Sequence, residues 1–320
     1  MIILDLNQRK MLRPEEMSPT VLCLGNFDGV HRGHMALMQA ALKQAEHLRT
    51  EVPGVQAGAW CFAIPPRRYL CGERQTQINS LCEKADLMAG LGLRYLCLGD
   101  FRELHDMPPD IFVREVLREQ CLCVSSVCGF NHRFGRGGEG TSAHLEAIFG
   151  NRALTVSSVE DAQKGGVISS SRIRALLLAG EMEEAVRLLG HPFLLRAPVI
   201  HGKALGRTIG LPTVNQNFPA GHLVPSHGIY ATRLNLNGQS YIGVTNVGRR
   251  PSVQDGDHIN CETHILDFNG SLYGKVITVE FYHKLRDEKK FECLQALMEA
   301  IRADAQAARV YFEKSTGGKA

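Results

Sequence analysis

The chain has 320 residues, of which 44% are hydrophobic and 22% are charged, and its formal net charge at pH 7 is +3. This is the composition of a globular protein long enough for two domains. The small charge does not favour a nucleic-acid or membrane surface, and no apolar run is long enough to span a bilayer. The first ten residues place apolar side chains before basic ones, the reverse of a secretory signal, so we expect a cytoplasmic protein.

Ten cysteines are present, and eight of them fall between residues 23 and 128. None forms a Cys-x-x-Cys pair, which disfavours zinc and redox sites. Most lie in apolar runs that are typical of strands. We therefore expect reduced thiols that act as small buried apolar side chains, rather than metal ligands or disulfide partners.

The first predicted strand, residues 21–24, leads into the run LGNFDGVHRGH at residues 24–34, and a helix is predicted over residues 35–49. A helix start presents free N–H groups and a partial positive charge, which attract phosphate. Glycines let the backbone approach a ligand, and a protonated histidine would offset charge that develops in phosphoryl-group chemistry. The alternative is a plain strand–turn–helix connection. The candidate nucleotide-binding and catalytic residues here are Gly25, Asn26, Phe27, Asp28, Gly29, His31, Gly33 and His34.

Short apolar runs continue to alternate with helical stretches as far as about residue 190. This alternation predicts a parallel sheet covered by helices, which is an α/β domain. The further predicted strands cover residues 55–64, 93–98, 123–128 and 154–159. The further predicted helices cover residues 80–90, 110–120, 171–178 and 182–189.

The run GFNHRFGRGGEG, residues 129–140, is a polar and glycine-dense loop that follows a predicted strand. Ligands of parallel α/β sheets bind beyond the carboxyl ends of the strands, so we prefer a binding loop to a flexible connection. Asn131 could read an adenine or hydrogen-bond a second substrate.

The run SSSRIR, residues 169–174, opens a predicted helix. A serine can cap that helix, and its start, with an arginine beside it, can hold a triphosphate. The alternative is a well-capped helix with surface arginines. The candidate residues are Ser169, Ser170, Ser171, Arg172 and Arg174.

From about residue 193 the helical periodicity gives way to short β-like runs separated by Gly, Pro and Asn. The Asn237-Gly238 pair is a strong hairpin signal, and the pattern predicts an antiparallel barrel or sandwich. An amphipathic helix with an apolar stripe from Phe291 to Ala305 closes the chain. A boundary near residues 190–192 divides the chain into domains 1–190 and 191–320. The predicted strands cover residues 197–201, 228–236, 241–247, 260–266 and 275–285.

The run GKALGRTIGLPTVN, residues 202–215, is glycine-rich but lacks the ending of a P-loop, which excludes a Walker site. Thr213 and Asn215 carry oxygen ligands two residues apart, which suits Mg²⁺ shared with nucleotide phosphates. Glu262, in a strand-like run, could act as a general base on a hydroxyl nucleophile. The phosphate-binding candidates of this segment are Gly202, Lys203, Gly206, Gly210 and Pro212.

These motifs together resemble the bacterial bifunctional riboflavin kinase/FMN adenylyltransferases, or FAD synthetases, along almost the entire chain. Residues 25–34 and 169–174 look like the two nucleotidyltransferase motifs of that family, and residues 129–140 look like its flavin- and adenine-side loop. The kinase motifs are matched by residues 206–215, 246–252 and 262–273. Arg286, Phe291 and Asp304, in and near the terminal helix, also fit.

The resemblance implies a Rossmann-like nucleotidyltransferase domain followed by an antiparallel β-barrel riboflavin kinase domain with a long terminal helix. The second domain would transfer the γ-phosphoryl of ATP to riboflavin, with Glu262 as base and with Thr213 and Asn215 binding Mg²⁺. The first domain would transfer AMP from a second ATP to FMN, giving FAD and pyrophosphate. There His31, His34 and Arg172 would grip the triphosphate and stabilise charge on the leaving group.

The resemblance also supplies flavin-binding candidates and partners. The implied partners are the small molecules riboflavin, FMN and ATP, with no nucleic acid and no membrane, and the implied assembly is a monomer or weak homo-oligomer. The flavin-binding candidates are Asn131, Arg133, Phe62 and Arg286.

Three positions depart from the family pattern. The usual Phe-x-Pro-His-Pro run reads FAIPP at residues 62–66, so Pro65, which cannot donate a hydrogen bond, replaces the histidine. Val214 replaces a usual Ala, and Ser252 replaces a usual Thr. The first change raises an alternative: a riboflavin kinase whose N-terminal domain binds nucleotide or flavin but is weak or inactive as an adenylyltransferase. A nucleotide-binding regulatory or RNA-associated module is a third possibility, which the net charge of +3 does not favour.

Overall fold

The computed structural model describes residues 1–6, 17–66, 69, 76–201, 213–250 and 258–317. The chain forms two compact units. The first consists of Met1–Gln75 and Leu81–Ser169, and the second of Thr76–Ser80 and Ser170–Ala320.

The first unit contains a six-stranded sheet in which all neighbouring strands are parallel, in the order β1-β4-β3-β2-β5-β6. The central strands are buried on both faces, which explains why their sequences are continuously apolar rather than alternating. The strands are β1 Ile2–Asp5, β2 Thr20–Leu24, β3 Gln56–Phe62, β4 Tyr95–Gly99, β5 Cys123–Gly129 and β6 Ala153–Val156.

Helices connect these strands, and the sheet separates two hydrophobic cores. One core contains buried side chains of the helix at residues 32–48, and the other contains those of the π-helix at residues 112–120. The helices are α1 Arg32–Leu48, α2 Leu81–Gly90, α3 Phe101–Leu104, α4 Pro109–Ile111, which continues as the π-helix Phe112–Gln120, and α5 Ser142–Phe149.

The predicted parallel α/β domain is confirmed, with three elements that the sequence analysis missed: β1, α5 and the four-residue helix α3. Strand β1 was missed because only four residues of it pair with β4. Helix α5 was missed because its capping box uses His144 where Glu or Gln is usual: the Nδ1 atom of His144 accepts from the Thr141 backbone N–H at 3.2 Å.

The second unit contains a six-stranded antiparallel sheet in the order β7-β12-β9-β10-β11-β8. Ile200, two residues after the edge strand β7, donates a backbone hydrogen bond to Asn215 on the other edge strand, β8, at 2.8 Å, and the Gln216 side chain on β8 donates to the Ala197 carbonyl on β7 at 2.7 Å. These bonds close the sheet, which confirms the predicted barrel. The strands are β7 Phe193–Pro198, β8 Thr213–Asn217, β9 Gly228–Leu236, β10 Gln239–Arg250, β11 His258–Ile265 and β12 Val276–Arg286.

Among the described residues of the second unit, the helices are α6 Ser170–Ala179, α7 Met182–Leu189 and α8 Leu294–Gly317. Helices α6 and α7 therefore belong to the same compact unit as the barrel. Helix α7 ends where Gly190 adopts a φ of 80°, close to the predicted boundary. The division into domains 1–190 and 191–320 stays a prediction.

Two barrel predictions differ from the structure. The first strand lies at Phe193–Pro198 rather than at residues 197–201, and β8 was interpreted only as a phosphate-binding segment. The helix after the barrel begins at Leu294, so Phe291 precedes it. Within the described part of the chain, no helix is long and apolar enough to cross a membrane.

Three buried threonines link the central barrel strands. The Thr245 hydroxyl lies 2.8 Å from that of Thr232 and 2.9 Å from that of Thr263, and all three residues are fully buried. Each of these hydroxyls forms a hydrogen bond with a neighbouring hydroxyl, so the row connects β9, β10 and β11 and leaves none of the three hydroxyls unpaired.

Candidate active sites

The chain turns sharply where β2 ends and α1 begins. Phe27, Gly29 and Val30 have φ angles of 51°, 86° and 41°, in the left-handed region, and Phe27 and Val30 are fully buried. Such angles are unfavourable for phenylalanine and valine, so packing holds this turn in place. The turn brings the main chain round to the start of α1, where N–H groups are available for phosphate.

His31 and His34 are brought together at that helix start. Their rings stack at a centroid distance of 3.6 Å, and the Nδ1 atom of His31 accepts the His34 backbone N–H at 3.4 Å as the helix cap. A β-carbon at position 33 would lie 3.1 Å from the His31 ring, which explains why Gly33 stands there. The predicted pairing of the two imidazoles is therefore present in the structure.

The buried environment of His34 affects its charge. Burial lowers the pKa of His34 well below its usual value, and the nearby charges of His31 and Lys84 lower it further. Its Nδ1 atom is inaccessible to solvent and has no hydrogen-bond partner in the part of the chain that the structure describes. In the absence of a ligand His34 is therefore neutral at pH 7, whereas the sequence analysis considered a protonated ring.

The loop of residues 129–140 is held by its own packing. Phe134 is buried, exchanges two backbone hydrogen bonds with Gly140, and packs against Phe112 at 5.4 Å. Burial lowers the pKa of the neighbouring His132 to about 4. The candidates Asn131 and Arg133 are exposed on this fixed loop, at the carboxyl end of β5.

An aromatic cluster lies at the carboxyl ends of β3 and β4. Phe62 packs edge-on against Trp60 at 4.9 Å and against Phe101 at 5.3 Å, and Phe101 stacks with Tyr69 at 5.9 Å. Sequence analysis identified Phe62 but missed Tyr69 and Phe101. The position of Phe101 just after a parallel strand was the signal that could have found it. Pro65, which departs from the family pattern, is partly buried nearby in the chain.

The candidate run at residues 169–174 begins α6, in the second unit. Ser169 and Ser170 are partly buried, and Ser171 is exposed. A guanidinium nitrogen of Arg172 lies 3.3 Å from the Glu184 carboxylate, which also contacts Arg187 at 3.2 Å. Arg172 is thus held by α7 rather than freely exposed, and Arg174 is partly buried.

The barrel carries a row of polar side chains on one face. Glu262 on β11 lies directly opposite Asn215 on β8 and Asn246 on β10, and directly paired residues point to the same side of a sheet. The Thr213 hydroxyl donates to the Glu262 carboxylate at 2.6 Å, and the Asn215 side-chain oxygen accepts from Asn260 at 3.0 Å. The structure therefore brings Glu262, Thr213 and Asn215 together as predicted.

Glu262 and Thr213 line a cavity of about 360 Å³ between the barrel and the segment leading into α8. Ile229, Val244 and residues of α8 form apolar walls, and Arg286 lies at one side. Arg286 makes two hydrogen bonds to Asp304, at 2.9 and 2.7 Å, and its guanidinium lies 5.8 Å from the centre of the Phe291 ring. A cavity with apolar walls and the Glu262 carboxylate in its lining suits an aromatic ligand with a polar tail.

Asn246 and His264 also line this cavity; the sequence analysis placed both in motif-like runs but did not name them as site residues. The side-chain oxygen of Asn246 is buried without a partner, which suits a site that receives a hydrogen-bond donor from a ligand. Residues 262 and 264 are two apart on one strand, so their side chains lie on the same face of the sheet, and this spacing could have identified His264. Five candidates lie outside the described residues: Gly202, Lys203, Gly206, Gly210 and Pro212. So does Ser252.

Comparison with known families matches both halves of the chain. The family described as FAD synthetase matches residues 13–172, and the family described as riboflavin kinase matches residues 189–312. A bifunctional riboflavin kinase/FMN adenylyltransferase of Pseudomonas fluorescens is 35% identical over 93% of this chain and 94% of its own length. The chain belongs to the bifunctional riboflavin kinase/FMN adenylyltransferase family.

Two further relatives extend the comparison. A bifunctional riboflavin kinase/FMN adenylyltransferase of Bacillus subtilis is 32% identical over 93% of this chain and 94% of its own length. The crystal structure of a protein from Streptococcus pneumoniae, described as a macrolide-efflux protein, superimposes with a TM-score of 0.80 at 29% identity, covering 97% of this chain and 99% of that one. The predicted family and enzyme class are confirmed.

Enzymes of this family use ATP with Mg²⁺, and flavins are their substrates and products. The residues around Glu262 fit such a cation, because carboxylate, hydroxyl and amide oxygens are the ligands Mg²⁺ prefers. Thr213 donates its proton to Glu262, which leaves its oxygen lone pairs free to face a cation. Thr213 and Asn215 would supply hydroxyl and amide oxygens and the substrate phosphates would complete the coordination, so the predicted magnesium position agrees with the donor set without using the Glu262 carboxylate as a ligand.

Proposed function

We propose that Glu262 is the general base of the riboflavin kinase reaction. A ribityl hydroxyl is a poor nucleophile until it loses its proton, and a carboxylate within hydrogen-bond reach can accept that proton as the bond to phosphorus forms. The observation that carries this assignment is the Glu262 carboxylate beside Thr213 at the wall of a cavity of about 360 Å³. Thr213 orients the carboxylate, and the apolar walls hold the flavin ring.

Arg286 and the magnesium position complete the proposed kinase site. The two hydrogen bonds to Asp304 fix the Arg286 guanidinium, which then presents a flat, oriented surface to the flavin. Thr213 and Asn215 would hold Mg²⁺, which neutralises phosphate charge when bound. The phosphate-binding glycines and Lys203 of residues 202–212 stay part of the proposal.

The adenylyl-transfer site is proposed at the carboxyl edge of the parallel sheet. The start of α1, with Gly25, Asn26, Phe27, Asp28, Gly29 and Gly33 in its turn, binds phosphates through backbone N–H groups, and His31 and His34 donate from their rings. Asn131, Arg133 and Phe62 receive the flavin. Ser169, Ser170, Ser171, Arg172 and Arg174 are proposed to contribute hydroxyl and guanidinium donors to the nucleotide.

Product analysis tests the two activities together. The pure protein is incubated with ATP and Mg²⁺, starting from riboflavin in one tube and from FMN in the other, and the flavins are separated by chromatography. FAD in both tubes is expected from a bifunctional enzyme and shows that Pro65 is tolerated. FMN accumulating in the first tube, with no FAD in either, would instead support the kinase-only alternative.

Cytoplasmic location, a monomeric or weakly homo-oligomeric state and the absence of a nucleic-acid partner are also proposals. The seven buried free cysteines among the described residues suit a reducing compartment, and the net charge of +3 is small for a nucleic-acid surface. Cell fractionation, light scattering on the purified protein and a gel-shift assay with RNA test these three points. A stable tetramer or a shifted RNA band would contradict them.

A further inference from the structure

Lys84, which no sequence motif indicated, contacts the turn at residues 26–30 that leads to His31 and His34. Lys84 is in the first turn of α2 but only 3% exposed, and its ammonium donates to the main-chain carbonyl of Asn26 at 2.9 Å. Among the described residues it forms no ion pair with a carboxylate. Burying an ammonium without a carboxylate is costly, so an ordinary core position would hold an apolar side chain instead.

The carbonyl that Lys84 contacts begins the turn that presents the two histidines. Asn26 is followed at once by Phe27, whose φ is 51°, and then by Gly29 and Val30 at 86° and 41°. A backbone with three left-handed residues within four positions, two of them not glycine, is disfavoured unless external contacts hold it. A charge-assisted hydrogen bond to the first carbonyl of that turn is such a contact.

We propose that Lys84 is a positioning residue for adenylyl transfer, whose ammonium fixes the Asn26 carbonyl and with it the turn that carries His31 and His34. This inference rests on the proposed role of the two histidines. Lys84 does not touch the reacting atoms in this account. Its contribution is to hold the phosphate-binding N–H groups and the imidazoles in one arrangement before the nucleotide arrives.

The same ammonium has an electrostatic consequence. The ionisable groups that bear on His34 are His31, from the turn, and Lys84, from α2, and both lower the pKa of His34 in addition to burial. The Phe27 ring, 5.3 Å from His34, carries no charge. Removing the Lys84 charge therefore raises the pKa of His34, a change that a purely packing role of the side chain would not produce.

Two variants separate the hydrogen bond from the charge. Lys84→Met keeps a long flexible side chain but removes the donor, and Lys84→Gln keeps an N–H donor without the charge. For Lys84→Met the kcat for FMN to FAD is expected to fall by about ten- to a hundredfold, because small displacements of aligned groups are costly. The KM for ATP should change less, and Lys84→Gln should retain more activity than Lys84→Met. Riboflavin phosphorylation by the same chain reports whether the second unit is folded, a retained KM for ATP in FAD formation reports whether the first is, and Lys43→Met, at an exposed position of α1, is the matched control.

A second readout does not depend on turnover. The imidazole of His34 is titrated by NMR, with its signal assigned by comparison with His34→Gln, and its midpoint should move to higher pH in both Lys84 variants but not in Lys43→Met. An unchanged rate of FAD formation in Lys84→Met, or an equal loss of both activities in both Lys84 variants, would overturn the proposal. Full FAD formation by His34→Gln would instead reject the histidine assignment on which it rests, so the two failures are distinguishable.

Discussion

The two sites of this chain are built from different chemical groups. The site on the parallel sheet consists of a constrained turn, stacked imidazoles and a buried ammonium, whereas the barrel site places a carboxylate, Glu262, beside a hydroxyl in a cavity. The difference follows from the two nucleophiles. A ribityl hydroxyl must lose a proton, but the phosphate of FMN is already an anion. Phosphorylation of riboflavin therefore needs a base, whereas adenylylation of FMN needs only alignment and stabilisation of charge.

Removing the base tests this comparison most strongly. Glu262→Gln should lower the kcat for FMN formation by about 10³-fold, because general bases contribute roughly 10²–10⁴-fold and the carboxylate also orients Thr213. Conversion of supplied FMN to FAD should stay within about twofold of the unaltered enzyme, since that phosphate needs no base. Both rates are measured by chromatography of the flavins.

The exposed carboxylate of Glu299 on α8 provides the control for that substitution. Glu299→Gln should leave both rates unchanged. If Glu262→Gln reduced both reactions equally, the division of labour between the two sites would be wrong.

The second prediction concerns the imidazole pair. His34→Gln should lower the rate of FAD formation by about 10²-fold, because a ring held against the start of α1 donates to charge that develops in the transition state. Riboflavin phosphorylation should be unaffected. His47→Gln changes an exposed histidine at the other end of the same helix and should alter neither reaction. A normal rate of FAD formation in His34→Gln would leave the turn as a structural feature only.

The sequence predicts the features that local patterns determine. Continuous apolar strands between helices indicated the parallel sheet, and Asn237-Gly238 marked the β9–β10 hairpin. The histidine run was proposed from its local pattern, and Glu262 chiefly from the resemblance of its segment to a family motif. What it could not provide are contacts between distant positions. Lys84 lies 58 residues from the carbonyl it binds, and Thr213 lies 49 residues from Glu262. The pairing of Asn246 with Glu262 depends on the register between β10 and β11, which no local pattern encodes.

A third prediction separates binding from chemistry in the barrel site. Arg286→Met removes the guanidinium that Asp304 fixes, and we expect the KM for riboflavin to rise about tenfold with a smaller change in kcat, because the lost contact acts on bound substrate and transition state alike. The steady-state kinetics of FMN formation measure both parameters.

Asp304→Asn is the companion variant. It weakens the support for Arg286 without removing the guanidinium, so its effect on the KM should be in the same direction but smaller. A large fall in kcat with an unchanged KM, in either variant, would assign Arg286 to the chemical step instead.

The smallest expected effect comes from the buried threonine row, which supports the barrel site without lining it. Thr245→Val preserves shape but leaves the hydroxyls of Thr232 and Thr263 without their shared partner, and an unsatisfied buried group costs about 1–3 kcal/mol. Thermal inactivation of the kinase should therefore occur at a lower temperature, while FMN formation at 25 °C changes less than about twofold. Thr278→Val, at a partly exposed position of β12, is the control.

The triple substitution of Thr232, Thr245 and Thr263 by valine sharpens this last prediction. Thr245→Val removes the partner that both outer hydroxyls share, and valine at 232 or 263 removes one of the two bonds of Thr245, whereas three valines leave no hydroxyl in the row. The triple variant should be more stable than the sum of the three single losses predicts, since the partners are in contact and their effects are not additive. Additive losses would mean that each hydroxyl contributes through separate contacts, and that the row does not act as a unit in connecting β9, β10 and β11.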